Sequence, residues 1–167
     1  MPHTRITYAG WADCARLAND HAELVITTQV GPRIIRLALP DGPNLLYEAF
    51  QGQTGGDTWR NYGGHRLWHA PEQRPRTYAP DNDPVTLETH GDMVRVIQAT
   101  EAETHIQKSM DIALAPDAAR VRVTHRLVNH SVWPVHLAPW ALTVMAPGGT
   151  AILPLPPRST QAENLLP

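Results

Sequence analysis

The chain has 167 residues, 42% of them hydrophobic and 18% charged, with a formal net charge of −2. That length supports one domain with a buried core, and that composition excludes a wholly disordered chain. The 14 Lys and Arg residues are scattered, which excludes a basic footprint for nucleic acid or for an anionic membrane.

Met1–Trp11 carries no apolar run of the secretory type. No stretch approaches the ~20 consecutive apolar residues that span a bilayer, so a cytoplasmic protein is expected. Asp13–Asn19 reads as a helical turn or two, or as chain leading into a turn at Asn19-Asp20. It holds Cys14, the only cysteine, which excludes an internal disulfide and predicts a buried thiol. Ala22–Val30 is a β-branched run with Leu24, Ile26 and Thr28 on one face. Arg33–Leu39 follows, and Pro40-Asp41-Gly42-Pro43 turns the chain. Asn44–Phe50 is a further apolar stretch.

Gly55–Pro84 breaks this pattern. It concentrates His65, Arg66, Trp68, His69, Glu72 and Arg76 between glycines and prolines. Gly63 and Gly64 admit positive φ, and Pro71, Pro75, Pro80 and Pro84 stiffen the chain after them. The segment reads as rigid loop on a sheet scaffold, where binding groups concentrate. Its Trp, Arg and His content suits a polar, ring-shaped ligand such as a sugar.

Val85–Thr89 and Met93–Thr100 flank His90-Gly91-Asp92, a hairpin signal. Thr104–Leu114 and Ala118–Val128 form the strongest pair, joined by Ala115-Pro116-Asp117. Ile106, Lys108, Met110, Ile112 and Leu114 alternate with Gln107, Ser109, Asp111 and Ala113, which predicts half-buried antiparallel strands. Lys108 falls on the core-facing row, either as a snorkelling lysine at a sheet edge or as a cation in a ligand groove. Val132–Met145, interrupted by Pro134 and Pro139, reads as a strand pair or one long bent strand. Pro147-Gly148-Gly149 then turns into Ala151–Leu155. Many short strands, frequent turns and no long amphipathic helix predict an all-β antiparallel sandwich or barrel. Pro154–Pro167 adds no closing strand pair. The expectation is a single domain over residues 1–167 with an open sheet edge, covered by a partner such as a second copy or by further sequence of a longer domain.

Three runs carry a resemblance: NYGGHRLWHAPE (Asn61–Glu72), PRTYAPDNDPV (Pro75–Val85) and RLVNHSVWPVHLAPWALTVMAPGG (Arg126–Gly149). They resemble the galactose-mutarotase-like (aldose 1-epimerase) superfamily, in an uncharacterised branch, from about Trp11 onward. The resemblance implies a large antiparallel β-sandwich, of which this chain would be the N-terminal part, with a hexose bound in a groove across one sheet. It implies that Arg66 holds sugar hydroxyls and that Trp140, with His136 nearby, lies in the groove. Where the family's catalytic histidine is expected, in a strand resembling Val135–Leu142, this chain has Pro139 and Trp140. The family's late-strand glutamate has no counterpart here.

Anomer interconversion needs a base for the C1 hydroxyl proton and an acid for the ring oxygen, roles that suit an imidazole and a carboxylate. His65 or His69, with Glu72 or Asp57, are the candidates; each histidine also reads as a loop residue bonded to a backbone carbonyl. Arg66 reads as a clamp on hydroxyls or a carboxylate, or as the ion-pair partner of Asp57 or Glu72. Trp68 and Trp140 offer flat faces to a pyranose, or fill core. His65-x3-His69 has the spacing of a zinc pair on a helix, but the flanking glycines and Pro71 leave no helix to use it. No metal and no cofactor are expected. The expected function is carbohydrate binding with aldose 1-epimerase-type chemistry at His65, His69 and Glu72. Substrate contacts are expected from Arg66, Trp68, Asp57, His136 and Trp140. The competing reading is a non-catalytic sugar-binding or structural β-sandwich module.

Overall fold

Alternating apolar and polar residues fold into two antiparallel sheets in the computed structural model, which describes residues 3–154. The strands are β1 (Thr4–Tyr8), β2 (Trp11–Ala18), β3 (Glu23–Thr27), β4 (Arg33–Ala38) and β5 (Gly64–Ala70), then β6 (Thr86–His90), β7 (Met93–Ile97), β8 (Ile106–Leu114), β9 (Val121–Asn129) and β10 (Ala138–Val144). One sheet has six strands in the order β1-β2-β3-β4-β5-β10, and the other has four in the order β6-β7-β8-β9. The architecture is all-β, two sheets packed as a sandwich. Among the described residues, no helix is long and apolar enough to cross a membrane.

The core between the sheets is built from the inward rows. Leu17, Leu24, Ile26 and Leu67 of the larger sheet meet Val94, Val96, Met110, Ile112 and Leu114 of the smaller one. The outer face of the larger sheet is also covered, by Trp11, Cys14, Val25, Val30, Ile35 and Tyr62. Burial on both faces removes the clean alternation that marks a one-sided strand. Cys14 is fully buried, and burial pushes its thiol up to about 11.

The hairpins at Gly91-Asp92 and at Ala115–Arg120 form as the sequence predicts, with β8 and β9 paired from Ile106–Asn129 to Leu114–Val121. Of the two readings of Asp13–Asn19, the turn between strands is the one that forms: β2 runs to Ala18 and pairs with both β1 and β3, and Asn19 Oδ1 accepts from the backbone N–H groups of His21 and Ala22 to close the turn. Four segments differ. Asn44–Phe50 is bridged to its neighbours only at Leu46 and Glu48. Val132–Met145 yields the single strand β10, which starts after Pro134 and carries Pro139 at its second position, opposite His69. Residues 151–154 form no strand, and the rest of the predicted Ala151–Leu155 element lies outside the described residues.

The largest difference is β5. The segment read as loop contains a seven-residue strand, paired with β4 on one side and with β10 along its whole length on the other. Gly63 and Gly64, with φ of 83° and 69°, admit it. A Cβ on Gly63 would collide with the carbonyl oxygen of Tyr47, and one on Gly64 with that of Ile34. Only glycine meets both demands at once.

On the outer face of the smaller sheet, Asp111 is gripped by Arg95 (2.6 Å) and by Arg126. The hydrogen bond from Arg95 outweighs the opposing effect of burial and, with Arg126, holds the Asp111 carboxyl at about 2. Its unfolded value is about 3.9. A depressed carboxyl pKa contributes stability that is fully present above the unfolded value and is lost as pH falls toward the folded one. Stability should therefore decline between about pH 4 and pH 2. Denaturant midpoints across that window should show the decline flattened in Asp111→Asn, which should also be less stable than the parent at neutral pH. Parallel curves would contradict the assignment.

Candidate functional site

β5 sends its side chains to two sides of the larger sheet. Arg66 and Trp68 face outward, registered with Leu142 and Trp140 of β10. His65, Leu67 and His69 face the smaller sheet. A buried polar network stands on each side.

On the outer side, Arg33 Nη2 lies 2.6 Å from Asp81 Oδ2, and Arg33 Nη1 donates to the Gly63 carbonyl at 2.6 Å. Arg66 Nη2 stands 3.4 Å from the same Asp81 oxygen. Its guanidinium lies 4.6 Å from the Trp68 ring and 5.4 Å from that of Trp59. Burial pulls Arg66 down to about 10, even against the pull of Asp81. Burial alone would raise the Asp81 carboxyl, but Arg33, Arg66 and Lys108 outweigh it and hold it below the usual carboxylate range. Trp59, Trp68, Tyr78 and Trp140 pack beside this network with successive ring centroids 5.2 to 5.9 Å apart.

On the inner side, Lys108 Nζ stands 2.5 Å from Glu101 Oε1, and the Thr104 hydroxyl donates to Glu101 Oε2. His69 Nε2 is 3.7 Å from Glu101 Oε2, too long for a hydrogen bond. Burial would raise Glu101, but His69, Lys108 and Thr104 together keep it low and ionised. Lys108 is 1% exposed. It is therefore a buried cation with a carboxylate partner and not a snorkelling side chain at an edge.

The two networks meet at a cavity of about 520 Å³ at one end of the sandwich. Segments 79–84 and 98–103 wall it, with Gly31, Gly56, Asp57 and Tyr78. Asp81 reaches it from the outer network and Glu101 from the inner one. Among the described residues, no donor reaches Asp81 Oδ1 or Gln98 Oε1, which belong to buried residues of the wall. A smaller cavity of about 270 Å³ shares Pro75 and Glu103 with the first and is walled by Ile106, Val135 and Leu137.

The residues singled out in the sequence are divided among these surroundings. Asp57 lines the larger cavity. Glu72 is exposed and accepts from the Tyr78 hydroxyl, so it supports a wall residue without lining the cavity itself. Arg66 lies behind Asp81, and its partner is that residue and neither Asp57 nor Glu72. His69 lies behind Glu101, fully buried. Trp68 and Trp140 belong to the aromatic cluster. His136 is exposed in the connection leading to β10. His65 shares hydrogen bonds of 2.8 Å with His125 and with Thr143 and is not part of the cavity wall. Burial and the neighbouring His125 hold it neutral, at about 4. On a strand, His65 and His69 are about 13 Å apart and cannot share an ion. Among the described residues, no group of three or more His, Cys, Asp or Glu could hold a metal ion.

Arg33, Asp81, Gln98 and Glu101 were not singled out in the sequence. A signal for one of them exists: Arg33, like Lys108, is a charge inside an apolar strand, and a buried charge demands a partner. No family model, curated protein or solved structure matches the chain.

Asp81→Ala should cost about 3–5 kcal/mol, because it leaves two buried guanidinium groups uncompensated. Arg66→Met should cost less, since Asp81 keeps Arg33. Denaturant unfolding of both variants checks the order; an Asp81→Ala variant as stable as the parent would remove the network from the account.

Proposed function

We propose that the protein binds a carbohydrate in the 520 Å³ cavity, with ligand hydroxyls donating to the acceptors of its wall. The volume lies within the range of small-molecule sites. The observation that carries this reading is the pair of buried acceptors without a donor, Asp81 Oδ1 and Gln98 Oε1. Buried polar atoms of this kind are normally satisfied by protein, water or ligand. A sugar is a compact source of several hydroxyl donors. The resemblance to the mutarotase-like superfamily points to the same ligand class. In this geometry Arg66 serves as a positioning residue that fixes Asp81, and contact with the sugar passes to the carboxylate.

A second reading, interconversion of the anomers of that sugar, is favoured by one specific observation. Glu101, a residue of the cavity wall, has the buried His69 imidazole 3.7 Å behind it, which pairs a carboxylate with an imidazole next to the ligand space. Ionised Glu101 can take the C1 hydroxyl proton as the C1–ring oxygen bond breaks. The electron pair of the O–H bond then forms the aldehyde, the ring oxygen takes a proton from a water molecule that Glu101 re-protonates, and reclosure by the reverse steps on either face gives either anomer. This assigns the base role to Glu101 in place of Glu72.

Calorimetric titration with glucose and galactose should give saturable heats, and Gln98→Ala should weaken binding by about 0.5–1.5 kcal/mol, the worth of one neutral hydrogen bond. Absence of binding by either sugar would end the proposal. Polarimetry on fresh α-glucose separates the second reading: acceleration lost in Glu101→Gln supports it, and a rate equal to buffer leaves binding alone.

A further inference from the structure

Among the described residues, the wall of the cavity contains five carboxylates, Asp57, Asp81, Asp83, Glu101 and Glu103, and no Lys, Arg or His. Asp81 and Glu101 are committed to Arg33, Arg66 and Lys108. Among the described residues, Asp57, Asp83 and Glu103 form no ion pair and their carboxylates accept no hydrogen bond. The arginines of the neighbouring segments are engaged elsewhere: Arg60 donates to the Gly55 carbonyl and the Tyr62 hydroxyl, Arg74 lies over the Tyr78 ring, and Arg76, which lines the smaller cavity with Glu103, donates to the Pro71 carbonyl.

Two independent observations therefore agree. The rim carries unneutralised negative charge, and the two unpartnered buried oxygens of the wall, Asp81 Oδ1 and Gln98 Oε1, both accept. The cavity asks for a ligand that donates hydrogen bonds and carries positive charge. A metal ion does not meet the description, because no three of these carboxylates converge closely enough to hold one.

We infer that the preferred ligand is an amine-bearing sugar, a hexosamine with a protonated amino group, in preference to a neutral hexose. The inference rests on the carbohydrate reading above and narrows it. The ammonium belongs at the rim, near Asp57, Asp83 and Glu103. It is kept from the inner wall because Asp81 and Glu101 are already neutralised by three buried cations, which would repel it. The sugar hydroxyls belong at the inner wall, against Asp81 Oδ1 and Gln98 Oε1. Each rim carboxylate is solvated, so each contact is worth little alone, and the preference comes from the three acting together.

The test is calorimetric titration of the full chain with glucosamine, glucose, N-acetylglucosamine and cyclohexylamine at about pH 6, where the amines are protonated. Glucosamine should bind about tenfold more tightly than glucose or N-acetylglucosamine at low salt, and the advantage should shrink at about 0.5 M salt. In Asp57→Asn/Asp83→Asn/Glu103→Gln the ratio should fall to about one; the single variants, each replacing an exposed group, should lower it in part. Equal affinity for glucosamine and glucose would overturn this inference and leave the carbohydrate reading standing. Cyclohexylamine binding as tightly as glucosamine would keep the cationic preference and overturn the carbohydrate reading. No binding by any sugar overturns both. A preference that survives in the triple variant overturns the assignment to these carboxylates.

Discussion

The structure turns on one buried carboxylate beneath two buried guanidinium groups. Asp81 lies on the connection between β5 and β6, while Arg33 and Arg66 come from adjacent strands of the larger sheet. Neither arginine could be buried on that face without a counter-charge, because desolvating an unpaired ion costs several kcal/mol or more. The pairing therefore fixes segment 79–84 against the sheet, and that segment is one wall of the cavity. Across β5 the same logic repeats: Lys108 needs Glu101, and Glu101 fixes segment 98–103 as the opposite wall. The cavity exists because two strands carry charges into places where only a loop carboxylate can answer them.

This arrangement also separates the work of the residues. The arginines and the lysine hold position, and the carboxylates and Gln98 present acceptors. Among the positioned groups, Arg66 stands out, since none of its guanidinium nitrogens makes a hydrogen bond of good geometry despite burial on two tryptophan rings. Its attachment is electrostatic and aromatic, through Asp81 at 3.4 Å, Trp68 and Trp59. Trp140 and Tyr78 extend the same aromatic wall toward the solvent-facing side.

The sequence was readable where one face of a strand is apolar and the other polar. β8 and β9 show that alternation, and their pairing follows it residue by residue. β5 was not readable, because neither face is apolar: Arg66 and Trp68 occupy one and His65 and His69 the other, and its strand character comes from β4 and β10. β2 was obscured for the opposite reason, since both of its faces are covered. The site suffered from the same limit. Asp81 is 48 residues from Arg33 in sequence, and Glu101 sits in a connection without motif character, so only the tertiary fold brings each to its cation. Along the flank formed by β9 and β10, the inward row of β9 is only half-buried, the β10 residues opposite His65, Leu67 and His69 are exposed, and Val132, Trp133 and Val135 are exposed beside them.

The central claim is that the space between segments 79–84 and 98–103 is where a sugar binds, and a crystal soaked in glucosamine or glucose addresses it directly. A single sugar in that cavity is expected, with hydroxyls on Asp81 Oδ1 and Gln98 Oε1 and with Arg66 reaching it only through Asp81. A sugar stacked on Trp140 or seated beside His65, with the cavity empty, would contradict it.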